Sequence, residues 1–244
     1  GTDVLNLITV NSLCADLDVT GAAIQVFDQP EAGTLTPDQT GGQCLPNAGN
    51  VVISATPDGN AVIPAGYEVL YVLTSAPGAV IEQTSLTPNF TVTAGGQYTI
   101  HTLIAETSDA TSLNYLDVTT ITPGVTTAAD VLNTIATNGI CADLDVVGAV
   151  FNIFDQPDAG TITPDLAFIC LPTGGNVVVS ATPDGNAVVP TDFEVVYVLA
   201  TQPGGVVQQS GLTPSFTVST SGAYTIHTLI AEITDPTSLN FFDP

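Results

Sequence analysis

Apolar and polar positions along this chain come in short runs, and no stretch keeps a helical period. The runs are rich in Val, Ile, Thr and Tyr and are bounded by Gly, Pro, Asn and Asp, the pattern of an all-β chain. It predicts strands near residues 4–10, 22–27, 50–55, 67–73, 79–84, 89–93, 97–105 and 112–117, with equivalents later in the chain. Thr56-Pro57-Asp58-Gly59-Asn60 reads as a turn, because Pro presets φ and Gly accepts a positive one. Seven or eight short strands in about 115 residues fit a β-sandwich.

The pattern occurs twice. Asp3-Val4-Leu5-Asn6 returns as Asp130-Val131-Leu132-Asn133, and Cys14-Ala15-Asp16-Leu17-Asp18-Val19 returns as Cys141 to Val146. Ala55 to Val62 returns as Ala181 to Val188, and Tyr98 to Glu106 as Tyr224 to Glu232. The offset is 127 before residue 39 and 126 after Cys44, so one residue is lost between them. A period of this size matches a whole domain and exceeds a solenoid repeat. The expected organisation is a first domain over 1–117, a linker over 118–129 and a second domain over 130–244. The linker, VTTITPGVTTAA, lacks charge and holds one Pro-Gly, which predicts an extended rather than a floppy segment.

Gly96-Gln97-Tyr98-Thr99-Ile100 fits a tyrosine corner, with Ile100, and Ile226 in the second repeat, pointing into the core. The chain has no Trp, so the Cys–Trp–Cys core of antibody domains is absent. The run from Gly49 to Ala105, with ATPDGNAV, YEVLYVLT, APGAVIEQT and LTPNFTVTAGGQYTIHTLIAE, resembles the immunoglobulin-like tandem repeats of large secreted surface proteins of Bacteroidetes-type bacteria. The resemblance covers most of each repeat. It implies two immunoglobulin-like sandwiches, an extracellular or cell-surface location and an adhesin-like or fibre-like role. It transfers no catalytic residues.

Composition narrows the function. The 244 residues hold 24 Asp plus Glu and no Lys or Arg, for a net charge of −24. Lysine nucleophiles, arginine clamps for phosphate and lysine isopeptide crosslinks are excluded outright. Nucleic acid is excluded as a partner, because its affinity comes largely from cationic side chains. Acidity here does not mean disorder: 44% of residues are hydrophobic and only 10% charged. No apolar run reaches the ~18–20 residues that cross a membrane, so membrane insertion is not expected.

Four cysteines stand at Cys14, Cys44, Cys141 and Cys170. Three pairings are open in principle, and the duplication favours Cys14–Cys44 with Cys141–Cys170. Each bridge would close a loop of about 30 residues, worth roughly 3–4 kcal/mol, and would suit an oxidising compartment.

Asp16 with Asp18, and Asp143 with Asp145, place paired carboxylates on one face of an extended segment, with Asp28 and Asp155 nearby. Ca²⁺ is the cation such oxygen donors would take, against the plainer reading of solvated acidic loops. His101 and His227 read as structural residues in late strands, bonded across strands to Glu68 or Glu194. No nucleophile elbow accompanies them, so no enzyme is expected. Asn89-Phe90-Thr91 is an N-glycosylation sequon that the second repeat, with Ser215, does not share.

Several strands are apolar on both faces, among them Leu70-Tyr71-Val72-Leu73 and Val195 to Leu199. A lone sandwich alternates apolar-in and polar-out, so the outer faces are expected to be covered by another domain or subunit. The segment Val4, Leu5, Leu7, Ile8 and Val10 reads as a β-strand at a free end, suited to strand addition in a neighbouring molecule. The expected function is a structural extracellular protein, a protomer that polymerises with itself head to tail in a filament or stalk. The alternative is an adhesin-type module binding surface glycans or proteins, with Ca²⁺ as its one candidate cofactor.

Overall fold

A computed structural model describes residues 2–46 and 49–243. The chain is all-β apart from two short helices and a 3-10 turn. It opens with α1 (Thr2–Val10), followed by an irregular stretch with no strand up to β1 (Leu35–Pro37). Then come β2 (Gln43–Cys44), β3 (Val51–Pro57), β4 (Glu68–Ser75), β5 (Val80–Ser85), β6 (Asn89–Val92) and β7 (Gly96–Ala105). A 3-10 turn (Val118–Thr120) leads to α2 (Ala128–Asn138), β8 (Asp143–Leu144) and β9 (Ala149–Phe154). The chain ends with β10 (Ile162–Pro164), β11 (Val177–Pro183), β12 (Glu194–Gln202), β13 (Val206–Gly211), β14 (Ser215–Val218) and β15 (Ala223–Ala231).

The first sandwich packs the sheet β1-β3-β6 against the sheet β2-β9-β7-β4-β5, to which β8 is added beside β7. Its core joins Leu35, Ile53, Phe90 and Val92 of one sheet to Leu73, Ile100, Ala149, Phe151 and Ile153 of the other. The second sandwich packs β10-β11-β14 against β13-β12-β15 around Leu199, Phe216 and Val218. The tyrosine corner forms in both: the Tyr98 hydroxyl donates to the Ala94 carbonyl at 3.1 Å, and that of Tyr224 to Thr220 at 3.0 Å. Ile100 is fully buried, as its place in the corner requires. In the turn after β3, Gly59 takes φ +79° and the Asp58 carboxylate accepts from the Asn60 N–H.

The repeat boundary and the packing boundary differ. Strands β8 and β9 belong in sequence to the second repeat, yet they hydrogen-bond to β7 of the first. Their neighbour α2 lies on the outer face of the same sheet. There Val131, Ala142 and Leu144 bury Val72, Ile81, Leu103 and Ala105, with Ile135 packed alongside. This cover explains why β4 and β7 are apolar on both faces. The segment between the repeats is held along the edge of β5: Ile81 N–H donates to Thr126, and Ala128 N–H to Ala79. Helix α2 starts at a capping box, Thr127 with Asp130, and stops at Gly139 in the left-handed region, φ +64°.

Several expectations are corrected. Residues 4–10 are not a strand but the body of α1, because Val4, Leu7 and Ile8 share a helical face as Val131 and Ile135 do in α2. Residues 22–27 form no strand and have no ladder partner among the described residues, and 112–117 carries only an isolated bridge from Tyr115 to Glu106. Neither expected disulfide is present in the structure, where all four thiols are free. Cys44 lies beside Phe154 at one end of the six-stranded sheet. Cys14 follows α1 in the unpaired stretch, and Cys141 precedes β8, which pairs with Leu103 and Ile104 toward the other end.

Candidate functional site

The feature that organises the molecule is the edge of β7 and the segment that fills it. Ala149 pairs with Ile100, Val150 with Thr99, Phe151 with Tyr98, Asn152 with Gln97 and Ile153 with Gly96, antiparallel. Side chains alternate along a strand, so Ala149, Phe151 and Ile153 all point inward, and each is at least 97% buried. Polar contacts fix the register. Gln97 Nε2 donates to Asn152 Oδ1 at 3.1 Å, and the Gly95 N–H donates to Asp155 Oδ1 at 2.9 Å. Ala32 N–H donates to Asp143 Oδ2 at 2.7 Å. At the start of the segment, buried Asn114 accepts from Cys141 N–H at 2.6 Å and donates to the Tyr67 hydroxyl.

His101 reads the same segment. Its Nδ1 lies 2.8 Å from the Asp145 carbonyl and must carry the proton; Nε2, 3.0 Å from Thr74 Oγ1, then accepts. Burial lowers its pKa below the ordinary value, and the Asp145 carbonyl and charge oppose this without reversing it. Gly148 makes the approach possible. It sits at φ +63°, and a Cβ there would lie 2.6 Å from the Ile100 carbonyl and 2.8 Å from His101 Nδ1. Neither histidine bonds a glutamate. Glu68 accepts from the Thr107 hydroxyl, Glu194 from Thr234, and His227 Nε2 lies 2.9 Å from Thr225 Oγ1.

The equivalent edge of the second sandwich, along β15, has no such neighbour among the described residues. His227, counterpart of His101, is exposed, and Ile226 is only half-buried. A groove of about 670 Å³ opens between β11, β14 and β15, lined by Val177, Val179, Val218, Tyr224 and Ile226. Leu166 and Phe168 on the adjoining loop stand 66% and 87% exposed. Meanwhile Ile24 and Val26, counterparts of Phe151 and Ile153, are each 85% exposed. Thus the molecule carries one filled edge, one empty edge and one unused copy of the segment that does the filling. Sequence reasoning missed Ala149, Phe151 and Ile153 as contact residues. The alternation in 22–27 and its recurrence in 149–154 is the signal that marks them.

The carboxylates serve backbone groups. Asp145 Oδ1 accepts from Val147 and Gly148 N–H, and Asp18 Oδ1 from Thr20 and Gly21 N–H. A hydrogen bond from the Thr20 hydroxyl leads in holding the Asp18 carboxyl below its usual range. Asp16 Oδ1 accepts from its neighbour Leu17. Among the described residues, no three His, Cys, Asp or Glu side chains converge as a metal site would require. Asn89 is exposed at the start of β6. No helix among the described residues is long and apolar enough to cross a membrane. Comparison with protein families and with characterised proteins finds no match to this chain.

Proposed function

We propose that this protein is a structural, non-enzymatic protomer that joins copies of itself head to tail in a filament or stalk on the cell exterior. The observation that carries the reading is the exchanged segment: residues 128–154 lie on the sheet of the preceding repeat. A contact in which one end of a molecule fits the other end of the next is heterologous and does not close, so it propagates. The absence of Lys and Arg supports an outer surface that does not gather nucleic acid or anionic lipid. The resemblance to immunoglobulin-like surface repeats supports the location.

Negative-stain electron microscopy of the full chain at neutral pH and moderate salt tests this. Filaments whose axial repeat spans two sandwiches are the expected result. Monodisperse two-lobed particles at every concentration would reject the filament.

A further inference from the structure

The structure assigns the empty edge of the second sandwich to residues 3–28 of a second molecule of this chain. This deepens the filament reading and rests on it for its biological sense. Residues 130–155 and 3–28 are copies of one another, and so are the two edges, β7 and β15. The first pair is seen joined, and its register transfers directly. Ala22 of the incoming molecule stands opposite Ile226, Ala23 opposite Thr225, Ile24 opposite Tyr224, Gln25 opposite Ala223 and Val26 opposite Gly222.

Most recognition elements have a counterpart in waiting; the Gln97–Asn152 bond and the Thr74–His101 contact do not, because Ala223 and Ala200 stand at the positions of Gln97 and Thr74. Ile24 and Val26 enter the 670 Å³ groove as Phe151 and Ile153 enter the first core. Gly21 already holds φ +60°, close to the +63° of Gly148, but has nothing within 4 Å of its Cβ position. In the docked state that position meets Ile226 and His227. Asp18 already makes the turn that Asp145 makes, and its carbonyl is the acceptor for His227 Nδ1. Helix α1 brings Val4 and Ile8, counterparts of Val131 and Ile135, onto the outer face. There Val206 and Val207 are 59% and 60% exposed, whereas Ile81, counterpart of Val207, is 1%.

The segment cannot serve its own first sandwich, because β9 occupies that edge. Its exit path also matches. Phe154 leaves β9 and meets Phe193 at 6.2 Å between ring centroids, and the Tyr67 hydroxyl, on the residue equivalent to Phe193, donates to the Asp28 carbonyl at 3.1 Å. The junction inside one molecule therefore repeats between molecules. One difference is local: Phe168 stands where Gly42 faces the Phe154 ring, so the loop carrying Phe168 must move aside as Phe27 arrives.

The test is a disulfide trap in full-length protein with Cys14, Cys44, Cys141 and Cys170 changed to Ser. Directly opposed residues lie about 4.5–5.5 Å apart at Cα, within disulfide reach. Ala23→Cys with Thr225→Cys, oxidised with diamide, is expected to give a ladder of covalent multimers on a non-reducing gel. Ala23→Cys with Ser221→Cys, four residues out of register, is expected to stay monomeric. Adding Ile24→Asn to the first pair is expected to cut the ladder at least tenfold, with an unchanged thermal melt, because the Ile24 side chain is 85% exposed in the single molecule and enters the groove only on docking. Equal ladders from both pairs, or a ladder indifferent to Ile24→Asn, would overturn the register. Filaments in the wild type with no ladder from the first pair would overturn this docking and leave the filament reading standing. A ladder without filaments would uphold the docking and remove the filament.

Discussion

The two sandwiches are built from closely similar sequences, and the chief difference between them is the segment that fills one edge of the first. Beside β9, His101 is 5% exposed and Ile100 fully buried; without such a neighbour, His227 is exposed and Ile226 half-buried. Phe151 is 3% exposed where it has an edge to fill, and its counterpart Ile24 is 85% exposed where it has none. Burial here is decided by which segment arrives, not by residue identity. A strand edge that presents unpaired N–H and C=O groups next to an open core is unfavourable in a finished molecule and useful in an unfinished one. The same physics closes the first sandwich and leaves the second ready to be closed.

The largest expected effect comes from emptying the filled edge. Phe151→Ala should cost the first sandwich about 3–5 kcal/mol, since a large aromatic leaves a fully packed core. The corresponding Ile24→Ala should change the stability of the single molecule by less than about 0.5 kcal/mol, because the side chain lies in solvent. Urea denaturation of both variants breaks the comparison if the two costs are alike. Asn114→Ala comes next, at about 1–3 kcal/mol, because it leaves the Cys141 N–H without its acceptor where the exchanged segment begins. Removing the cap of α2 with Thr127→Ala should cost about 1 kcal/mol and loosen the outer-face cover.

A smaller effect separates the edges by pH. His101 is buried and its folded pKa lies below the ordinary 6.5. The neutral imidazole is therefore favoured in the folded state, so its contribution is present above pH 6.5 and is lost as pH falls through the folded value. The melting temperature of the first sandwich should drop between pH 7 and 5, and His101→Gln should flatten that drop. A drop that survives His101→Gln would place its origin elsewhere.

Much of the fold was legible. Strand alternation located β3, β4, β5, β6 and β7 to within a residue or two, and Tyr98 identified the corner that Ala94 completes. The two-faced apolar strands announced a cover before α2 was known to provide it. Residues 4–10 misled, because Val4, Leu5, Ile8 and Val10 are rich in strand-forming side chains. Their helical signal lay in the second repeat, in the Thr127–Asp130 capping box and Gly139. The cysteine pairing took each repeat to pack on itself, and the structure shows the four thiols unbonded. Little in the sequence signals that 130–154 serves the preceding repeat: along the paired edge β7 and β15 differ only at Gln97, where β15 has Ala223, and Gln97 is the residue that bonds Asn152. For the same reason 22–27 has the sequence of a strand and the exposure of a linker.

The central claim is that the second sandwich is completed by the residues that precede the first sandwich of another molecule. Hydrogen exchange followed by mass spectrometry, across a concentration series of the wild-type protein, tests it most directly. The account predicts that amides in 149–154 are protected at every concentration, while those in 22–27 and 223–231 exchange fast in dilute protein and become protected together as concentration rises. Rapid exchange in 22–27 under conditions where the protein is fully assembled would contradict it.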